Sequence, residues 1–349
     1  MTVAGAKACE VAPEPGSFRY PSWKSIVEPV RPFLDQVAAN LSVQVDAFDP
    51  EIATFARYAL SSQGKHLRPV LVALSAGAAG KINDATVKVA VIIEMIHLAT
   101  LVHDDVMDEA AIRRRRPTLA ANWGNQISVL VGDCLFAHAL RLAASFPTPE
   151  VCRAVAAATN TVCSGEILQS QNRHNYDLSR AEYFRILEMK TAELFALSCD
   201  LGAGLAGAEP AERAALRDFG LALGTAYQIY DDCLDLYGNE ESVGKSLGTD
   251  LANGKFTLPI LVTLERCTKA ERSQFKRWID SWDPRALPEV LEWLQPYDAR
   301  GVTAAILHDL LAHARSALAP LAASDSKEAL DDLTVFLERQ AGGLSLTAG

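Results

Sequence analysis

Carboxylates recur in this chain at a spacing that suits a hard metal ion. His103-Asp104-Asp105-Val106-Met107-Asp108 closes a very apolar stretch, and Asp231-Asp232-Cys233-Leu234-Asp235 repeats the D-D-x-x-D pattern after the apolar run Leu221 to Tyr230. Residues four apart share one face of a helix, so Asp104 and Asp108 hold their carboxylates side by side. Like charges at that spacing destabilise a bare helix by about 0.2–0.5 kcal/mol, and something positive should compensate. Mg²⁺ takes oxygen ligands, keeps several waters and bridges to phosphates. One such cluster could be a solvated helix end that carries acids by chance. Two copies at the ends of core helices point to metal. If those helices are antiparallel across a bundle, or splayed around one mouth, the six carboxylates face one cavity. Several Mg²⁺ ions there could clamp a diphosphate and neutralise it as it leaves.

An anion site of this kind also needs fixed cations, and the chain offers four groups. Lys65 and Arg68 stand three apart in Gly64-Lys65-His66-Leu67-Arg68-Pro69 at a helix start, where free N–H groups also favour an anion. Arg113 to Arg116 follow the first cluster, Lys190-Thr191 lies within a helix, and Lys245 and Lys255 flank the loop after the second cluster. Each has an ordinary reading. Lys65 and Arg68 could be surface charges, and the arginine run could answer a helix macrodipole or form a localisation patch. His97, on an apolar face, is on its own more often a core histidine than a ligand. Gly244-Lys245-Ser246 resembles the end of a P-loop, but five residues separate Gly238 from Gly244 where that motif has four, and no strand precedes it.

The elements that must position these groups read as helices almost throughout. Apolar residues recur with helical period over 23–44, 50–62, 66–79, 84–108, 126–145, 149–172, 179–205, 210–237 and 256–266, with three or four more helices in the C-terminal third. No run alternates long enough to demand a strand, and no repeat or linker divides the chain. The expected fold is all-α, a single large helical bundle over residues 21–349 behind a flexible leader, residues 1–20. Nearly half of the 349 residues are apolar, which allows a large core. The net charge of -10 argues against nucleic acid as partner. Seven scattered cysteines without C-x-x-C spacing fit a reducing cytosol, so a cytoplasmic location is expected. Val89 to Val102, the longest apolar stretch, contains Glu94 and His97. It reads as a buried core helix rather than a transmembrane segment.

Taken together in their order and spacing, these stretches resemble the trans-isoprenyl diphosphate synthases from about Lys65 to Pro259. The matching residues are GKHLRP, DDVMD with Arg113-Arg114, Gly165-Glu166-Ile-Leu-Gln169, Lys190-Thr191-Ala192, Tyr227-Gln228-Ile-Tyr-DDCLD, and Gly244-Lys245 through Asp250 to Gly254-Lys255. The resemblance implies an α-helical fold around a deep central cavity, a homodimer, and two substrates, isopentenyl diphosphate and an allylic prenyl diphosphate. It implies three Mg²⁺ ions, two on Asp104 and Asp108 and one on Asp231 supported by Asp235, with Asp105 and Asp232 acting indirectly or through water. Lys65, Arg68, His97 and Arg114 correspond to the isopentenyl diphosphate site. Arg113, Lys190, Thr191, Gln228, Lys245 and Lys255 correspond to the allylic site, with Arg113 and Lys190 also assisting catalysis. Gln63 and Arg115 stand where the family often has glycine, and Tyr227 where it has phenylalanine.

The implied reaction ionises the allylic C–O bond, and the double bond of isopentenyl diphosphate then attacks the carbocation. A proton is lost to the released diphosphate. Product length should follow cavity depth. Ala99 and Thr100, five and four residues before Asp104, are small where short-product relatives carry an aromatic, and Ile96, Met95 and Ile92 lie deeper. A long-chain polyprenyl diphosphate synthase primed by farnesyl or geranylgeranyl diphosphate is therefore expected. The alternatives are a short-chain synthase, a class I terpene cyclase, or a non-catalytic partner subunit. A cyclase would not need a second D-D-x-x-D with Lys65 and Arg68, and a non-catalytic subunit should have lost charges that are all present here.

Overall fold

The computed structural model describes residues 20–61, 64–239 and 247–346. Its centre is made of helices too apolar to face water on any side. α4 (Leu67–Ala79) is buried along most of its length, and α5 (Asp84–Met107) is buried from Thr86 to Met95 except at Lys88. α5 starts at a capping box in which Asn83 and Thr86 each satisfy the other's backbone N–H. α10 (Glu193–Leu205) lies against α4 on one side and against α11 (Pro210–Tyr237) on the other. The second contact is close because Gly220 has no side chain: a Cβ there would come within 2.7 Å of the Phe195 carbonyl oxygen.

The amphipathic helices α1 (Trp23–Val27), α2 (Arg31–Asp46), α3 (Pro50–Leu60), α6 (Leu119–Trp123), α7 (Asn125–Ala144), α8 (Glu150–Gln171) and α9 (Arg180–Leu187) pack around this centre. The short α12 (Thr249–Ala252), α13 (Leu258–Arg266), α14 (Lys269–Asp280), α15 (Leu287–Leu294), α16 (Ala299–Ala317) and α17 (Asp325–Leu346) complete the described chain. The all-helical expectation holds, with three local differences. The helix expected over 23–44 is broken at Glu28–Val30, where Pro29 and Pro32 interrupt regular hydrogen bonding. The one expected over 179–205 contains a π-helical turn at Glu188–Ala192. Between α5 and α6, Ile112–Arg113 pairs antiparallel with Arg116–Pro117, and Arg114 and Arg115 form the turn with φ of 51° and 61°. α5 and α7 are long and apolar enough to cross a membrane by length and composition, but α5 is mostly inside the protein. Six cysteines are free among the described residues.

Candidate active site

α5 and α11 end at the same place. Asp104, Asp108, Asp231 and Asp232 all line one cavity of about 880 Å³, so the two clusters share a mouth. Their neighbours divide the six acids into different kinds. Asp104 is pushed up to about 6, chiefly by burial and secondly by Glu166 and Asp108, against the pull of Lys190 and Arg113. Burial would also raise Asp108. Lys255, which donates to both its oxygens at 2.8 and 2.9 Å, outweighs that together with Lys190 and Arg173, so Asp108 lies below the ordinary range. Arg173 Nη2 donates to Asp108 as well, at 2.8 Å. Asp108 is thus paired with two cations, Lys255 and Arg173.

The remaining acids are held by hydrogen bonds to the protein, and of them Asp232 also reaches the cavity wall. Asp105 is buried off the cavity wall and accepts from Arg113 Nε at 2.6 Å. Asp232 accepts from Tyr183 Oη at 2.6 Å and Gln228 Nε2 at 2.8 Å, and its burial pushes it up to about 7. Asp235 is fully buried, accepts from Thr249 Oγ1 and from the Asp250 backbone N–H at 2.9 Å, and does not reach the cavity. Asp105 and Asp235, expected to act indirectly and in support, are held by a guanidinium and by a helix start and lie off the cavity wall. Sequence reasoning gave no role to Asp250, which α12 places in the cavity wall. Its position in the stretch ending at Lys255 was the available signal. Among the described residues no three Asp, Glu, His or Cys side chains are gathered round one point, so a metal here must also draw ligands from water or phosphate.

Arg113, Lys190 and Lys255 line the same cavity as the acids. The π-helical turn carries Lys190 and Thr191 into the cavity. Lys190 pairs with Glu166 and donates to Gln169 at 2.7 Å. Burial would lower its ammonium, but Asp104, Glu166 and Asp108 outweigh this and raise it. Gly165 makes the approach of α8 possible, since a Cβ there would lie 2.7 Å from the Lys190 backbone nitrogen. Thr191 Oγ1 donates to Gln228 at 2.8 Å, which in turn holds Asp232. Lys245 lies outside the described residues.

A second, smaller pocket of about 60 Å³ adjoins the first, and the two share Arg68, His97, Leu101, Arg114 and Tyr227 as wall. Lys65 lies near the Trp23 and Phe336 rings, at 5.9 and 5.5 Å, and Arg68 lies over Phe195 at 5.1 Å. Burial, then Arg68, Arg114, Arg113 and His66, hold His97 well below the usual histidine range, so it is neutral. Thr100 lines the large cavity, but Ala99 and Ile96 do not. Both are fully buried in the core. The physical reason is the helical period: Ala99 is about 140° and Ile96 about 80° round the helix from Asp104, whereas His97 and Thr100 stay within about 40°. Phe136 from α7, Tyr183 from α9 and Phe256 are bulky cavity-wall residues that sequence reasoning missed.

The model of the polyprenyl synthetase family matches residues 49–294. The chain belongs to this family. It is similar to a short chain isoprenyl diphosphate synthase of Methanothermobacter thermautotrophicus, 33% identical over 90% of this chain and 99% of that protein. It is also similar to an octaprenyl diphosphate synthase of Haemophilus influenzae, 36% identical over 74% of this chain and 79% of that one. A crystal structure of polyprenyl synthase from Caulobacter crescentus, complexed with calcium and isoprenyl diphosphate, superposes with a TM-score of 0.87. That structure is 35% identical and covers 92% of this chain, which covers 99% of it. As a polyprenyl synthetase the protein is a prenyltransferase of isoprenoid biosynthesis.

Proposed function

We propose that this polyprenyl synthetase condenses isopentenyl diphosphate with an allylic prenyl diphosphate, head to tail, and repeats the step to give a long-chain all-trans product. The observation that carries this reading is the pair of adjoining pockets with a shared wall, the larger lined by both acid clusters and their cations, the smaller by Lys65, Arg68 and Arg114. In the large cavity Asp104, Asp108 and Asp231 would hold Mg²⁺, two ions on the first cluster and one on the second, with Asp232 acting indirectly. When bound, Mg²⁺ supplies positive charge to the departing diphosphate. Arg113, Lys190, Thr191, Gln228 and Lys255, with Lys245, orient the allylic diphosphate. Lys65, Arg68 and Arg114 hold isopentenyl diphosphate, and neutral His97 adds a hydrogen bond rather than a charge.

The allylic C–O bond breaks with its electron pair going to the diphosphate oxygen. The double bond of the neighbouring substrate forms the new C–C bond, and a proton lost to the freed diphosphate restores a double bond. The chain's part is to keep the two head groups adjacent and the cation dry. Apolar Val162, Ile186 and Leu187 line the cavity and exclude water. Small Thr100 lets a growing chain pass toward Phe136. Leu130 of α7 is exposed and apolar off the cavity wall, which supports a homodimer. The free cysteines support a cytoplasmic location. The purified chain with labelled isopentenyl diphosphate, farnesyl diphosphate and Mg²⁺ should yield products well beyond geranylgeranyl length on reverse-phase analysis after dephosphorylation. Products that stop at geranylgeranyl length would make it a short-chain synthase, and no incorporation would overturn the reaction.

A further inference from the structure

The small pocket contains an acid where its proposed ligand is an anion. Glu94 interrupts the apolar sequence of α5, is 5% exposed, and keeps its Oε2 buried without a hydrogen-bond partner. Arg68 likewise has a buried Nε–H without a partner. A buried carboxylate facing a diphosphate repels it unless a positive group compensates. The side chain in hydrogen-bond contact with Glu94 is His66, whose Nδ1 lies 3.0 Å from Oε1. His66 precedes α4 in left-handed backbone, φ 47° and ψ 43°, and lines the same pocket.

We propose that His66 is a proton-dependent positioning residue for isopentenyl diphosphate, neutralising Glu94 when protonated and exposing the incoming anion to it when neutral. This rests on the assignment of the small pocket to that substrate. The groups around His66 set the direction. Glu94 from α5 raises its proton affinity, first by the hydrogen bond and further by its charge, while burial and Arg114 of the hairpin oppose, and the net effect is a raised pKa. His97 of α5 is neutral, Tyr227 of α11 faces the same pocket, and Lys65 and Arg68 flank His66 on its own segment. Below the raised value His66 carries its proton and the pocket favours the diphosphate. As pH rises through it, Arg68 alone is left to offset the Glu94 charge, and affinity falls.

Both substrates carry the same diphosphate, so its own ionisation cancels in the ratio of KM for isopentenyl diphosphate to KM for the allylic substrate, and saturating Mg²⁺ keeps the carboxylates of the allylic site ionised so that they add no slope of their own. That ratio should rise about two- to fivefold from about pH 6 to about pH 9 in the wild type, as expected for a half-exposed charge. His66→Asn tolerates left-handed backbone and still donates to Glu94 without titrating, so its ratio should be flat. His66→Arg, with a permanent charge, should be flat and low, and it serves if the Asn variant does not fold. A flat wild-type ratio overturns the proposal, and so does a slope that persists in either variant. Arg68→Ala separates this from the pocket assignment. It should raise the ratio at every pH, and if it does not, the pocket itself is misassigned whatever His66 does.

Discussion

Identical side chains in the two aspartate clusters have different duties because their surroundings differ. Asp104, Asp108 and Asp231 face the cavity, whereas both oxygens of Asp232 accept from Tyr183 and Gln228. Asp104→Ala and Asp231→Ala should each lower turnover by about 10²–10³-fold or more, as loss of a charge-stabilising group does, with the helical circular dichroism unchanged. Asp232→Asn, which alters a supporting group, should lower it by about tenfold. Steady-state rates with saturating Mg²⁺ and after chelation check both. Near-normal turnover by Asp104→Ala or Asp231→Ala would remove the shared metal site.

At the scale of elements, one helix turn decides what the product meets. α5 shows His97, Thr100 and Asp104 to the cavity and turns Ala99 and Ile96 into the core. Thr100→Phe should therefore shorten the product, and Phe136→Ala should lengthen it. Ala99→Phe should instead overpack the core and cost about 1–3 kcal/mol in stability, with the product distribution of the surviving enzyme unchanged. Reverse-phase profiles and urea midpoints for the three variants test this. Shorter products from Ala99→Phe alone would show that its side chain reaches the channel. The π-helical turn is a second such device: its wider winding presents Lys190 and Thr191 to the cavity, and Gly165 lets α8 bring Glu166 and Gln169 against it.

On the scale of the molecule, the site joins distant parts of the chain. Lys255 reaches across to Asp108, 147 residues earlier, and Tyr183 ties α9 to α11 through Asp232. A ligand that bridges the clusters should therefore stabilise the whole fold. Mg²⁺ and diphosphate together, at about a hundred times their dissociation constant, should add about 2.7 kcal/mol and raise Tm by several degrees. Either alone should give much less, because each would leave charge unneutralised. Equal shifts from diphosphate with and without Mg²⁺ in a thermal melt would show that the carboxylates take no part.

The sequence alone was enough for the helical class, the two acid clusters and the basic groups, because helical period and charge spacing are local and survive without knowledge of neighbours. Asn83, Ser179 and Thr268 even mark helix starts by their own capping boxes. Only the tertiary structure decided what each acid meets. Asp105 and Asp235 look like Asp104 and Asp231 in sequence, but packing turns them off the cavity wall, toward Arg113 and toward the start of α12. Asp250, Glu94, His66 and Phe136 gain their places in the two pockets from packing between separate elements, which no local pattern encodes. Ala99 shows the limit most clearly. Distance along α5 was legible, but the side of the helix that faces the cavity depends on which neighbours cover the other side.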